Sequence, residues 1–189
     1  MRNREVSAQP KIFPSGLFIG RFQPLHNGHV DAVCQALTRC KRLIMILGSA
    51  NVQNEKNPYS LTQRKHMLNA VFRKEMRAGR ITVVPVLDYP RHREWINTVI
   101  NAAGDFQVVF TRNRLTRSIF LKKGYAVFML KKNIDVHSTR IRDLMRHKNP
   151  AWKTYVPSAL HHLLAENNTK RILKPKTMAA TSARVSARY

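Results

Sequence analysis

Short aliphatic runs alternate along the chain with longer stretches whose apolar positions recur every three or four residues. The runs are GLFIG (16–20), RLIMILG (42–48), ITVVPVL (81–87), FQVVF (106–110) and YAVFML (125–130). They are continuously apolar and not alternating, as strands covered on both faces are. Between the first two, Val30, Val33, Ala36 and Leu37 form a helical stripe within 27–40. Ser60-Leu61-Thr62-Gln63 has the form of a capping box and predicts a helix to about Ala78, with Leu61, Met67, Leu68 and Val71 facing the core. Trp95, Ile96, Val99 and Ile100 mark a helix over 92–103, and another covers Arg114 to Lys123. Gly79, Gly104 and Gly124 each stand between a helical stretch and the following strand, where a left-handed helix end is needed. After the last strand, a polar stretch leads into helices at 141–147 and 156–167, separated by Asn149-Pro150.

This order predicts an α/β, Rossmann-like open parallel sheet of about five strands with helices on both faces. Ligands then sit at the carboxyl ends of the strands. One domain is expected over 12–167, preceded by an extension, 1–11, and followed by a basic, flexible tail, 168–189.

Composition narrows the partners. The 189 residues carry 34 Lys and Arg against 10 Asp and Glu, a net charge of +24, while 43% hydrophobic residues suffice for a core. The tail contributes +6 and residues 1–11 contribute +2, so the folded body is itself basic. Polyanions follow as partners, either nucleic acid or small phosphorylated ligands. No apolar run approaches the roughly 18 residues of a membrane span, and the N-terminus lacks the apolar centre of a signal peptide. The expected location is cytoplasmic. Cys34 and Cys40, placed on one helix, would face about 240° apart, so they read as reduced, structural thiols.

The densest chemistry is Gly20-Arg21-Phe22-Gln23-Pro24-Leu25-His26-Asn27-Gly28-His29, directly after the first strand and running into the first helix. Exposed N–H groups, a helix N-terminus and two imidazoles three residues apart make that turn a phosphate site. Neither GxGxxG nor the Walker A pattern occurs, and no third ligand accompanies the histidines as a zinc site needs. No protein metal ligand can be nominated.

This segment resembles the signature of the HxGH nucleotidyltransferase superfamily, in the GRFQPxHxGH form of archaeal-type nicotinamide-nucleotide adenylyltransferases and of bacterial relatives fused to Nudix domains. Val136-His137-Ser138-Thr139-Arg140-Ile141-Arg142 resembles the late ISSTxIR element of the same group. Between them NPYSLTQR (57–64) is similar to NPFTAGER, HREW (92–95) to NxxW, and FTRNRLTRSIF (110–120) to YSGNPLVRRLF. The resemblance covers about residues 16–167 and leaves no room for a Nudix domain.

It implies adenylyl transfer from ATP to nicotinamide mononucleotide (NMN), or also to its nicotinic acid counterpart, giving NAD and pyrophosphate. By the same resemblance His26, His29, Arg21 and Arg142 are catalytic, and they bind ATP together with Gly20, Phe22, Gln23, Lys56, Ser138 and Thr139. Trp95, His92, Asn113 and Arg114 hold the acceptor, with Trp95 stacked on the nicotinamide. Mg²⁺ accompanies the triphosphate, and family relatives commonly form homo-oligomers. Ser138 read on its own is a helix cap, and Trp95 a core residue. This chain departs from the pattern at His92 (family Asn), Arg112 (Gly), Arg114 (Pro) and His137 (Ser). Two alternatives stand beside this reading: another phosphorylated acceptor, such as FMN, phosphopantetheine or a phosphosugar, or a basic nucleic-acid-binding or regulatory protein that retains a nucleotide pocket.

Overall fold

A computed structural model describes residues 12–88 and 92–172. Five parallel strands, β1 (Phe13–Gly20), β2 (Cys40–Leu47), β3 (Ile81–Pro85), β4 (Val108–Thr111) and β5 (Ala126–Met129), form one sheet in the order β3-β2-β1-β4-β5. The order reverses between β1 and β4, so the crevice for a ligand opens where those two strands end. Helices α1 (Asn27–Leu37), α2 (Leu61–Arg77), α3 (His92–Ala103), α4 (Arg114–Lys122) and α5 (Ser138–Arg146) follow the successive strands, and α6 (His161–Ile172) closes the chain. This is the expected architecture. Gly79, Gly104 and Gly124 take the left-handed φ predicted for them, 68°, 65° and 82°.

Strand alternation divides the core in two. On one face Phe18, Met45 and Phe110 pack with Val33, Leu68 and Ile141 from α1, α2 and α5. On the other, Leu17, Ile46 and Val109 pack with Ile96, Val99 and Phe120 from α3 and α4. Both faces of the central strands β1, β2 and β4 are covered, which is why their middles are apolar without interruption, while the edge strands β3 and β5 are partly exposed.

Three details differ from expectation. β1 begins at Phe13, not at 16, because the Ser15 N–H is satisfied by the Gln107 side chain (2.8 Å) while the Gln107 N–H returns to the Ser15 carbonyl (3.1 Å). α1 stops at Leu37 and Cys40 opens β2; the two cysteines are thus not on one helix, though both are free thiols. The helix expected at 156–167 begins only at His161, as α6: a 3-10 turn, Ser158–Leu160, and the extended Pro157 (ψ 141°) occupy its first positions, after another 3-10 turn at Pro150–Tyr155. α6 itself runs on to Ile172, five residues beyond the boundary placed at 167, and residues 1–11 and 173–189 lie outside the described part. Among the described residues no helix is long and apolar enough to cross a membrane.

Candidate active site

The turn after β1 is built around Phe22. Its backbone is left-handed (φ 52°), uncommon for an aromatic residue, and its ring is 1% exposed. The ring packs on Phe18 and on the His29 imidazole, with centroids 6.3 and 4.9 Å away. A Cβ on Gly20 would lie 2.7 Å from that ring, so only glycine fits there. His26 then caps α1: its Nδ1 accepts the His29 backbone N–H at 3.3 Å, which leaves the proton of the neutral ring on Nε2. The His26 and His29 rings stack at 3.7 Å between centroids.

Both imidazoles are held neutral. Burial, then the charges of His137 and Arg112, lower His26 to about 4. Burial, then His26 and Arg112, put His29 well below the usual histidine range. The Nδ1 of His29 is buried with no hydrogen-bond partner. An unpaired buried ring nitrogen at a helix N-terminus is a group prepared for a ligand atom.

The two sequence motifs, more than 100 residues apart, meet here. The Arg142 guanidinium donates to the Gln23 carbonyl (2.8 Å) and the Thr139 hydroxyl (3.2 Å), and the Ser138 hydroxyl donates to the Pro24 carbonyl (3.1 Å). Ser138 and Thr139 occupy the first turn of α5, whose cap residue, His137, makes no side-chain cap bond. Ser138 therefore joins the two motifs and is not the cap.

Two cavities adjoin at this place. The larger, about 550 Å³, is lined by Arg21, Phe22, Gln23, His26, His29, Lys56, Asn113, Ser138, Thr139 and Arg142, all of the expected set. The second, about 480 Å³, contains Gly20, Trp95 and Asn113, with Ser49 and Asp88. Ile19, Arg21, Thr111 and Asn113 belong to both. One cavity rich in cations and imidazole thus opens into another walled by an indole, with Arg21 and Asn113 at the junction.

A family described as cytidylyltransferase-like matches residues 17–144. The chain belongs to that family. Nicotinamide-nucleotide adenylyltransferase of Thermococcus kodakarensis is 35% identical over 156 residues, 80% of this chain and 82% of its own length. That of Pyrobaculum aerophilum is 33% identical over 148 residues, 76% and 83% of the two chains. A solved bifunctional NMN adenylyltransferase/ADP ribose pyrophosphatase from Francisella tularensis has the same fold, with a TM-score of 0.62 at 22% identity. The alignment covers 85% of this chain and 56% of that one, so this chain spans about half of the bifunctional protein.

Within this cytidylyltransferase-like frame several expected residues have more particular positions. The Gln23 side chain does not face the cavity freely: it clamps the Tyr59 backbone, accepting its N–H at 2.8 Å and donating to its carbonyl at 2.9 Å. Asn113 caps α4 by accepting the Thr116 N–H (2.9 Å), leaving its amide NH₂ at the cavity junction. Lys56 is exposed at the mouth, on a loop held by Asn54. Arg114 is exposed at the start of α4 and lines neither cavity. His92 begins α3, and its side chain lies outside what is described.

The expected site set lacks two arginines, although Arg64 ends the NPYSLTQR segment and Arg112 stands in FTRNRLTRSIF. Arg64 is wholly buried and its guanidinium donates to the carbonyls of Arg21 (3.0 Å), Gly48 (2.7 Å), Ser49 (3.0 Å) and Ser60 (3.4 Å), with burial lowering its pKa. It ties the ends of β1 and β2 to the cap of α2 beneath both cavities. Its signal is nonetheless present in the sequence: Arg64 falls on the same helical stripe as Met67, Leu68 and Phe72. Arg112 lines the larger cavity, where it pairs with Asp31 and donates to the Gly28 carbonyl (2.8 Å). Asp31 also accepts from Asn133 and Gln35, each at 3.0 Å. This family departure thus anchors the first turn of α1 to β4.

Proposed function

We propose that the chain transfers AMP from ATP to the 5′-phosphate of NMN, forming NAD and pyrophosphate. The observation that carries the reading is the pair of joined cavities, one with phosphate donors on two motifs and the other with Trp95, meeting at Arg21 and Asn113. A bound dinucleotide has the same division. The nicotinamide-nucleotide adenylyltransferases similar over four-fifths of the chain support the same reaction.

An acceptor phosphate oxygen attacks the α-phosphorus of ATP, and the bond to the pyrophosphate oxygen breaks. The nucleophile is a phosphate monoester, already anionic near neutral pH, so no general base is needed. Catalysis is placement plus stabilisation of moving charge. The His26 Nε2–H faces the α- and β-phosphate region, and His29 offers a ring nitrogen from the stacked ring beside it. Arg142, Ser138 and Thr139 hold the departing end of the triphosphate, with Lys56 reaching it from the mouth. Arg21 sits at the junction, where charge builds as acceptor and donor phosphates meet. Trp95 supplies a flat surface for the nicotinamide ring.

Among the described residues no three His, Cys, Asp or Glu side chains form a metal cluster. The larger cavity is lined by cations, hydroxyls and imidazoles, and Asp31 is engaged by Arg112. This donor set fits a divalent cation that arrives on the triphosphate oxygens, Mg²⁺ in this reading, where it would neutralise part of their charge. A cytoplasmic location and self-association belong to the same reading.

Purified protein incubated with ATP, Mg²⁺ and one acceptor at a time (NMN, nicotinic acid mononucleotide, FMN or phosphopantetheine) tests it by chromatography of the products. NAD from NMN is expected; no dinucleotide from either pyridine nucleotide refutes it. Light scattering on the same sample reports its association state.

A further inference from the structure

The cations that the nucleotide site does not use have a place of their own. The cavities lie where the strands end. At the opposite end, where strands begin and α1 and α2 finish, Arg39 precedes β2, Lys41 and Arg42 open it, Arg73 and Arg77 lie in the closing turns of α2, and Arg80 precedes β3.

Arg80 gathers them. Its guanidinium donates to the carbonyls of Leu37 (2.7 Å), Cys40 (3.2 Å) and Lys41 (3.4 Å). Its backbone N–H donates to the Glu75 carbonyl (2.8 Å), and its carbonyl accepts the Leu43 N–H (2.8 Å). The end of α1 and the start of β2 thus converge on its side chain, and the end of α2 on its backbone N–H. Arg80 is the structural member of the group, and Arg39 lies over the Phe128 ring, 5.1 Å from its centroid. The other four serve no such structural purpose. Lys41, Arg42, Arg73 and Arg77 are exposed, and none is ion-paired with another described residue.

Helix ends give cations at this position a bland purpose, since each C-terminus carries about −0.5 of a charge. Two such ends offset about one of the six cations and leave the surface strongly positive.

We infer that this end of the sheet is a docking surface for the phosphate backbone of a nucleic acid, separate from the nucleotide site at the other end. Three of those four exposed cations, Arg42, Arg73 and Arg77, are arginines, whose planar forks match phosphate oxygens two at a time. A lipid surface would also call for apolar side chains to insert. Of the six exposed large apolar residues, however, Leu87, Leu115, Met129 and Ile134 stand towards the cavity end. Nothing in the surface reads bases, so the binding is independent of sequence. The surface does not depend on the reaction proposed above.

Fluorescence anisotropy of the full chain with a fluorescein-labelled 20-base-pair DNA duplex and a 20-nucleotide RNA tests this between 50 and 200 mM KCl. With about four phosphates engaged on the duplex, affinity should fall roughly 150-fold over that range, a slope of about −3.6. Saturating ATP should not displace the probe. The triple variant R42E/R73E/R77E should bind about 100-fold more weakly and with a shallower salt slope, while ATP affinity, melting temperature and turnover stay unchanged. Binding by the triple variant equal to that of the original chain overturns the inference. So does displacement by ATP, loss of binding only when residues 168–189 are deleted, or retention on phosphatidylserine vesicles without binding to either nucleic acid.

Discussion

The His26 and His29 imidazoles stack with ring planes 23° apart, and the first accepts the backbone N–H of the second. A proton added to either ring therefore faces the other ring, the Arg112 guanidinium and a helix N-terminus together. In the proposed reaction the pair would meet phosphate as two neutral donors.

This has a sign and a window in pH. His26 titrates at about 4 in the fold against 6.5 in the unfolded chain. Between those values the unfolded chain takes up a proton that the folded one refuses, so this contribution to stability is complete above pH 6.5 and lost as pH falls through 4. The loss approaches about 3 kcal/mol, from 1.36 kcal/mol per pH unit. Urea melts at pH 7 and pH 4 on the original chain and on His26→Asn, which keeps the helix cap, should differ in their pH dependence by about that amount. Equal dependence contradicts the assignment.

Gly28 is confined by the same pair. A Cβ there would lie 3.1 Å from His26 Nδ1 and 3.1 Å from Val136 Cγ1, so one of the two must move. Gly28→Ala should lower kcat for NAD formation about tenfold or more, as a displacement of an ångström or less suffices for that, with a melting temperature close to the original. Unchanged kcat would separate the His26 position from the chemistry.

Arg64 holds four backbone carbonyls with one guanidinium. Arg64→Met removes a buried charge but leaves those oxygens without donors, and about 3 kcal/mol of stability should go with it. Calorimetry should record a fall of roughly 6–12 °C for a chain of this size. Arg64→Lys should recover only part of that loss, because an ammonium cannot span four carbonyls.

Arg112→Gly removes a cation that depresses both imidazoles and unlocks Asp31. The His26 pKa should rise towards 6.5, observable by NMR of the ring protons, and the acid limb of the rate profile should move up with it. Trp95→Ala acts on the other cavity. It should raise KM for NMN about tenfold, near the 1–1.5 kcal/mol of a stacking contact, and leave KM for ATP alone; equal effects on both would remove Trp95 from acceptor binding.

The strands and most helices are legible in the sequence because uninterrupted aliphatic runs and three-residue periodicity have few other physical meanings. The glycine-bounded turn and the Ser138-Thr139 segment are legible as phosphate chemistry, and their meeting through Arg142 and Gln23 gives that reading a geometry. What stays hidden depends on partners far along the chain. Gln23 reads as an ATP-binding residue by resemblance, and only the fold shows Tyr59, 36 positions away, occupying both ends of its amide. Arg64 shares the apolar stripe of α2 with Met67, Leu68 and Phe72, but its four carbonyl partners come from three segments that only the fold brings together. Arg112 and Asp31 are 81 residues apart, and only the β1/β4 neighbourhood brings them together.

The wall shared by the two cavities has a kinetic meaning. A dinucleotide held at both ends is tethered: when one half lets go, the other keeps it at high local concentration, and rebinding competes with escape. Pyrophosphate, held at one end alone, has no such tether. Turnover should then be paced by departure of the dinucleotide and not by the bond exchange, and a burst of pyrophosphate equal to the enzyme concentration should precede the steady state. Arg21 and Asn113, at the junction, would set the residence time of the product as much as the rate at which it forms.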